Sequence, residues 1–173
     1  MKVVIITGKR GEGKTTFLKK CVEELQRRNR ALFGFYAENV KTMEGNEGYL
    51  IKRVSSPESL LLCQRDNPSA GNLHLADFWF DELAIKTGEQ WLREGFKAEN
   101  PFFILDETGK FEIDGHVWDN SIKHLLYLER GTLLMTVRDR FLRPVMEKYH
   151  LDKTNCQVVN DLLFTVELVN EIE

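Results

Sequence analysis

The sequence predicts an α/β domain of three layers, in which a mainly parallel sheet carrying an added β-hairpin is covered by helices on both faces. Three observations carry this. Short apolar runs at residues 2–7, 102–105 and 132–137 have no polar face, as expected of strands buried on both sides. Amphipathic helical patterns alternate with them. Residues 31–37 and 49–54 flank a turn-rich stretch at 44–48 and read as an antiparallel hairpin.

In chain order, the first strand at 2–7 leads through glycines into a helix from Lys14 to about Arg28. There Phe17, Leu18, Cys21, Val22 and Leu25 share one face and the charges take the other. Residues 55–72 carry Pro57 and Pro68 and read as a loop region around one short strand at Leu60–Leu62. Residues 73–79 read as a further strand. Helices are expected at 81–96, 117–129 and 138–149, the last kinked or divided by Pro144. Residues 158–168 are expected to hold one or two terminal strands. No composition break divides the chain, so residues 1–173 are expected to form a single domain.

The bulk properties narrow the function. A net charge of −3 gives no whole-molecule field for gathering nucleic acid, which is not expected as a partner. The basic run Lys19, Lys20, Arg27, Arg28 and Arg30 reads as a solvated helix face. No apolar run reaches the ~20 residues needed to span a bilayer, and no leader-like segment precedes the first strand. The expectation is a soluble, cytoplasmic monomer with no membrane partner; protein partners stay open. Cys21, Cys63 and Cys156 are far apart, form no Cys-x-x-Cys pair and read as reduced thiols. His74, His116, His124 and His150 do not fall at zinc-ligand spacings with them.

Residues Gly8, Lys9, Arg10, Gly11, Glu12, Gly13, Lys14 and Thr15 fit G-x-x-x-x-G-K-[ST], the P-loop or Walker A pattern, with Thr16 following. The spacing has a physical reason. Successive backbone N–H groups must turn inward around a phosphate, and glycines permit the angles and keep side chains off the anion. The next helix starts at the phosphates, so its unpaired N–H groups and positive dipole end face them. Lys14 is expected to reach the β- and γ-phosphate oxygens of a nucleoside triphosphate such as ATP or GTP, and Thr15 to ligate Mg2+. The pattern alone can arise by chance. The apolar strand before it and the amphipathic helix after it make it specific.

Residues 102–105 end in Asp106-Glu107. In P-loop proteins a strand beside the first one ends in an acid near the metal, the Walker B element, and Asp106 is the candidate Mg2+ ligand. Glu107 is placed to orient and deprotonate a water for attack on the γ-phosphate. A kinase has less need of such a residue, since its nucleophile is another substrate's oxygen.

Three segments together carry a resemblance: residues 8–16, Gly34-Phe35-Tyr36-Ala37-Glu38-Asn39-Val40, and Leu105-Asp106-Glu107-Thr108-Gly109-Lys110-Phe111-Glu112-Ile113. The set resembles the small nucleoside-triphosphatase family that includes the cancer-related nucleoside-triphosphatase and its thermophile relatives. Residues 132–140 occupy the place of a further strand ending in polar residues, so the likeness runs from Lys2 to about Tyr149. It implies a RecA-like variant of the P-loop fold and Mg2+-dependent hydrolysis of nucleoside triphosphates to diphosphates with broad base tolerance. Arg10 stands where the family loop usually has proline, and Thr108 and Phe111 where Ile and Met are usual. Residues 54–72 and those after His150 match poorly.

Secondary candidates surround this centre. Lys110 can offset charge near the γ-phosphate, with Glu112 as a partner for it or for an arginine. Arg138 or Arg140, at the end of a buried strand, can act as an arginine finger or a γ-phosphate sensor. Phe78, Trp79 and Phe80 are consecutive and cannot all share one strand face; one of them can stack on a base. Tyr36 and Tyr49 read equally as core residues or as base neighbours. Two other functions stay open: a small-molecule or nucleotide kinase, with residues 55–72 and Arg65 as its lid, and a nucleotide-dependent accessory protein.

Overall fold

The computed structural model describes residues 1–41, 45, 47–163 and 165–173. In chain order the elements are β1 (Lys2–Gly8), α1 (Lys14–Arg27), β2 (Leu32–Lys41), β3 (Glu47–Arg53), β4 (Ser59–Arg65), β5 (Leu73–Leu75), β6 (Phe78–Phe80), α2 (Glu82–Arg93), β7 (Phe102–Thr108), α3 (Lys110–Ile113), α4 (Asp119–Tyr127), β8 (Thr132–Arg138), α5 (Asp139–Lys148), β9 (Cys156–Val159) and α6 (Thr165–Ile172). All the described strands join one sheet in the order β5-β6-β4-β3-β2-β7-β8-β1-β9. From β2 to β9 the pairs are parallel; from β2 outward to β5 they are antiparallel.

Strand pleating explains the layers. On β1, Val3 and Ile5 point to one face and Val4 and Ile6 to the other, and all four are fully buried. Val3 and Ile5 pack with Leu92 of α2, Ile122 of α4 and Val145 of α5. Val4 and Ile6 pack with Phe17, Leu18 and Leu25 of α1 and with Leu168, Val169 and Ile172 of α6. Each fully buried side chain of this size contributes about 2 kcal/mol before conformational entropy is subtracted.

Helix α1 carries the apolar stripe expected of it, with Phe17, Leu18, Cys21, Val22 and Leu25 all buried. It ends in a Schellman turn. Asn29 takes a left-handed φ of 55°, its N–H donates to Gln26 O at 2.9 Å, and Arg30 N–H donates to Leu25 O at 3.0 Å.

Several elements depart from expectation. β8 lies between β1 and β7, so the strand ending in Asp106 is not beside the loop strand. Both are apolar on two faces, and apolar pattern carries no strand order. Residues 73–79 form two short strands joined at Ala76, whose φ is 52°. The short strand expected within 55–72 extends to Ser59–Arg65, and the antiparallel part, β2 included, is five-stranded rather than a lone hairpin. The expected turn at 44–48 lies partly outside the described residues, and Glu47 and Gly48 already belong to β3. The chain end is the clearest correction: after β9, residues Thr165–Ile172 form a helix, with Leu168, Val169 and Ile172 against α1. α5 is one helix through Pro144, and α3 has no counterpart in the sequence pattern. The three cysteines are free thiols, and burial pushes Cys21 and Cys63 up to about 12.

Candidate active site

Between β1 and α1 the loop folds on itself. Gly11 and Gly13 have φ of 83° and 89°, the left-handed region in which glycine is unstrained. The Glu12 carboxylate accepts from Lys9 N–H at 2.6 Å and lies where a Cβ on Gly8 would meet it at 2.8 Å. Lys14 is buried, and its ammonium reaches across the loop to Lys9 O at 2.8 Å. Gly13 occupies the N-cap of α1 and makes no side-chain cap bond, so the first-turn N–H groups face outward at the loop, a site suited to an anion. Arg10 and Thr16 are exposed, and Thr15 lies near enough to the Asp106 carboxylate to help hold its pKa down.

Asp106 is 1% exposed. It accepts from Thr136 Oγ1 at 2.5 Å and from Ala37 N–H at 3.1 Å, so β8 and β2 grip it from both sides of β7. Burial pushes its carboxyl up to about 6, opposed by the hydroxyl and amide donors and assisted by the nearby Glu107 charge. Thr136 is a residue that sequence reasoning missed. Its signal is a lone hydroxyl in the apolar run Leu133-Leu134-Met135-Thr136-Val137, which must find a partner when fully buried.

The ladder between β7 and β8 shifts between Leu105 and Thr108, and Glu107 takes a φ of 60°, uncommon for a non-glycine residue. Its N–H donates to Thr136 Oγ1 at 2.8 Å. This bulge turns the Glu107 carboxylate to Arg138, whose Nη2 lies 3.0 Å from Oε2 and 3.2 Å from the Tyr49 hydroxyl. Arg138 is therefore at the acidic pair, and Tyr49 joins it. Arg140 instead lies over the Phe141 ring at 4.5 Å and has no ion-pair partner among the described residues. Lys110 forms an ion pair with Asp114 one turn along. Glu112 pairs with neither Lys110 nor an arginine; it is 2% exposed and accepts from Gly109 N–H at 2.7 Å, capping α3. Arg65 pairs with Asp77 at 3.0 Å.

Asp106, Glu107, Lys110, Arg138, Arg140, Arg65 and Arg10 all line one cleft of about 290 Å3. Its walls are aromatic, from Tyr49, Phe78, Phe80, Phe111, Trp118 and Phe141. Of the Phe78–Phe80 triplet, Phe78 and Phe80 face this cleft, while Trp79 stacks on His74 at 4.4 Å. The remaining P-loop residues are not among its lining.

The loop at the carboxyl end of β1, the acid at the end of β7 and the intervening β8 define a P-loop nucleotide-binding domain of RecA-like strand order. A family model described as NTPase matches residues 3–162. The chain belongs to this family and is an NTPase. Nucleoside-triphosphatase THEP1 of Aquifex aeolicus is 28% identical over 149 residues, 84% of this chain and 82% of that protein. The crystal structure of THEP1 from the same organism superposes with a TM-score of 0.75, covering 99% of each chain at 20% identity. The solution structure of a human cancer-related nucleoside triphosphatase superposes with a TM-score of 0.70, covering 99% of this chain and 95% of that one at 19% identity.

Proposed function

We propose that the protein is a Mg2+-dependent nucleoside-triphosphate phosphatase that cleaves the β–γ bond of ATP, GTP and other nucleoside triphosphates to give the diphosphate and phosphate. The observation that carries this reading is Glu107, a carboxylate turned out of the sheet on a left-handed bulge directly after the buried Asp106.

The donor set fits Mg2+. One buried carboxylate, Asp106, with the hydroxyl of Thr15 close by offers hard oxygen ligands, and Mg2+ would take its remaining positions from water and phosphate. No cluster of three or more His, Cys, Asp or Glu occurs among the described residues, as would be expected of a site holding a softer or higher-coordinate metal by protein alone. When bound, the ion neutralises charge on the β- and γ-phosphate oxygens.

The chain does the rest. Loop N–H groups and the first turn of α1 hold the β-phosphate, and Lys14 leaves Lys9 O for the β/γ-oxygens. Glu107 orients a water in line with the β–γ bridge and takes its proton. Arg138 holds the Glu107 carboxylate in place with Tyr49 behind it. Breadth toward the base belongs to the same reading: the polar groups assigned here serve phosphate and metal, and the relatives are named for nucleoside triphosphates without a stated base. The protein is further proposed to act as a cytoplasmic monomer.

The test is Mg2+-dependent phosphate release from ATP, GTP, CTP and UTP without any acceptor, wild type beside Glu107→Gln. The variant is expected to bind nucleotide normally and to lose about a hundredfold or more in kcat, as for a removed general base. A variant with undiminished turnover would reject the role of Glu107.

A further inference from the structure

We infer that the Thr136 hydroxyl is the positioning group of the acidic pair: it pins the bulge of β7, so that Asp106 is held for the metal and Glu107 for the attacking water together. The inference rests on the roles proposed above for these two carboxylates. The register shows why a side chain is needed here. Leu105 pairs with Met135 and Thr108 with Val137, so Asp106 and Glu107 together stand opposite the single residue Thr136. Two residues against one is the count of a β-bulge, and a bulge takes backbone groups out of the ladder. The Glu107 N–H is one of them. It donates to Thr136 Oγ1 at 2.8 Å and, at a longer 3.1 Å, to Asp106 Oδ1. The same hydroxyl donates to Asp106 Oδ1 at 2.5 Å. The proton and a lone pair of one side chain thus close a ring with a carboxylate and an amide of the next strand.

Direction and burial give that ring its function. By strand alternation Thr136 and Asp106 continue the face of Leu134, Ile104 and Ile6, the face that packs on α1. Glu107 is turned into the cleft, where its carboxylate meets Arg138 at 3.0 Å. The φ of 60° that turns it is one a glutamate keeps only where the surroundings impose it. Thr136 is fully buried, so removing its hydroxyl leaves both partners short of a bond. Asp106 Oδ1 is taken up by the Thr136 and Glu107 donors. Oδ2 accepts the Ala37 N–H at 3.1 Å and keeps acceptor capacity for Mg2+ or a water on it. The hydroxyl therefore decides which oxygen of Asp106 serves the ion, as an outer-shell partner does for a metal-binding carboxylate. Losing it frees the Asp106 carboxylate to rotate and takes from Glu107 its nearer anchor, so one substitution disturbs both residues. Valine keeps the branched shape of threonine without the hydroxyl, while serine keeps the hydroxyl and loses a methyl. Comparing the two separates positioning from packing.

The experiment measures Thr136→Val, Thr136→Ser and Thr136→Cys in the full chain with ATP and Mg2+, each alone and combined with Glu107→Gln. Thr132→Val, the same exchange at the opposite end of β8, is the reference and is expected to turn over as wild type. Thr136→Val is expected to lower kcat about ten- to a hundredfold, the scale of a misplaced reacting group, with ADP affinity within about threefold of wild type. The Mg2+ concentration for half-maximal rate is expected to rise. Thr136→Ser is expected to restore kcat to within about threefold. Thr136→Cys, whose thiol is a weak donor and acceptor, is expected to fall between them and takes the place of valine should that variant fold poorly. On Glu107→Gln at saturating Mg2+, the valine exchange is expected to add less than about threefold, since the base it positions is gone. Crystals of Thr136→Val are expected to show Glu107 outside the left-handed region and parted from Arg138. Four results would each overturn the inference: wild-type kcat in Thr136→Val, serine no more active than valine, the full valine loss repeated on Glu107→Gln, or Glu107 unmoved in the variant crystal. The crystal readout needs no turnover, and Glu107→Gln alone tests the general base, so the two readings fail independently.

Discussion

At the residue scale the acidic pair shows how two adjacent carboxylates acquire different roles. Asp106 faces into the sheet, where Thr136 and Ala37 supply donors to it. Glu107, on the bulge, faces the cleft and has a guanidinium for its partner. Arg138 is in turn shared with the Tyr49 hydroxyl, which ties the position of Glu107 to the antiparallel part of the sheet. In the proposed reaction, removing the guanidinium leaves the carboxylate free to sample orientations away from the attacking water. Arg138→Ala is therefore expected to lower kcat about ten- to a hundredfold, the scale of a small misplacement of a reacting group, with nucleotide affinity little changed. Arg138→Lys is expected to recover only part of the loss, since a point charge cannot bridge carboxylate and hydroxyl as the planar fork does. Steady-state kinetics alongside nucleotide titration checks both; an equal loss in binding would make Arg138 a phosphate ligand instead.

At the scale of elements, the parallel core depends on close approach between β2 and β7. Gly34 on β2 has a φ of 108°, and a Cβ there would lie 2.1 Å from Ile104 O on β7 and 3.0 Å from a methyl of Leu92 on α2. The Gly34 carbonyl also accepts from Val54 N–H at 3.0 Å, which fixes where the chain leaves β3. Gly34→Ala combines a backbone conformation unfavourable to side chains with a clash against backbone that cannot rotate away. It is expected to cost more than about 2 kcal/mol, read as a lowered urea midpoint at unchanged slope. A midpoint equal to wild type would mean that β2 and β7 can separate without cost. Because β2 also carries the Ala37 amide that holds Asp106, the surviving folded fraction is expected to bind Mg2+-nucleotide less well.

At the scale of the whole molecule, stability should carry a pH signature from one buried group. Glu112 is shut in between α3, α4 and the end of α5, and burial pushes its carboxyl from an ordinary 4.5 up to about 7. The N–H groups of Gly109, Trp118 and Glu112 itself oppose that rise, and the negative Asp119 adds to it. Asp119 is held by Lys123, Lys148 and the Tyr149 hydroxyl. The folded state thus binds an extra proton between these two values. Its contribution is complete below about 4.5 and is lost as pH rises through about 7. Glu112→Gln keeps an oxygen for Gly109 N–H without the charge. It is expected to raise stability above pH 7 by on the order of 1–3 kcal/mol and to flatten the slope between pH 5 and 7. Urea unfolding at pH 5.5 and 8 measures this, and a variant less stable than wild type at pH 8 would show that the carboxylate is charged and satisfied there.

Local chemistry makes much of this protein legible in its sequence. The loop from Gly8 to Thr15 can be read because its glycines, lysine and threonine are neighbours in the chain, and the phosphate chemistry proposed for them needs that spacing. The apolar strands and the stripe on α1 are legible because burial on two faces or one imposes a period. The family resemblance follows from the same local segments and agrees with the family found to match. What cannot be read is whatever depends on elements distant in the chain. Apolar pattern is blind to strand order, so the position of β8 between β1 and β7 emerges only in the fold. The helix at 165–172 overlaps a segment that reads as strand, because its apolar residues acquire their meaning from α1, some 140 residues earlier. Arg138 and Arg140 are equivalent as sequence, and only the bulge at Glu107 and the hydroxyl of Tyr49 distinguish them. The sequence by itself determined the glycine-rich loop and the acidic pair on which the proposed phosphate and metal chemistry rests. The tertiary structure decided which groups surround Glu107 and what kind of cleft it faces, because those contacts form only where the sheet brings distant strands together.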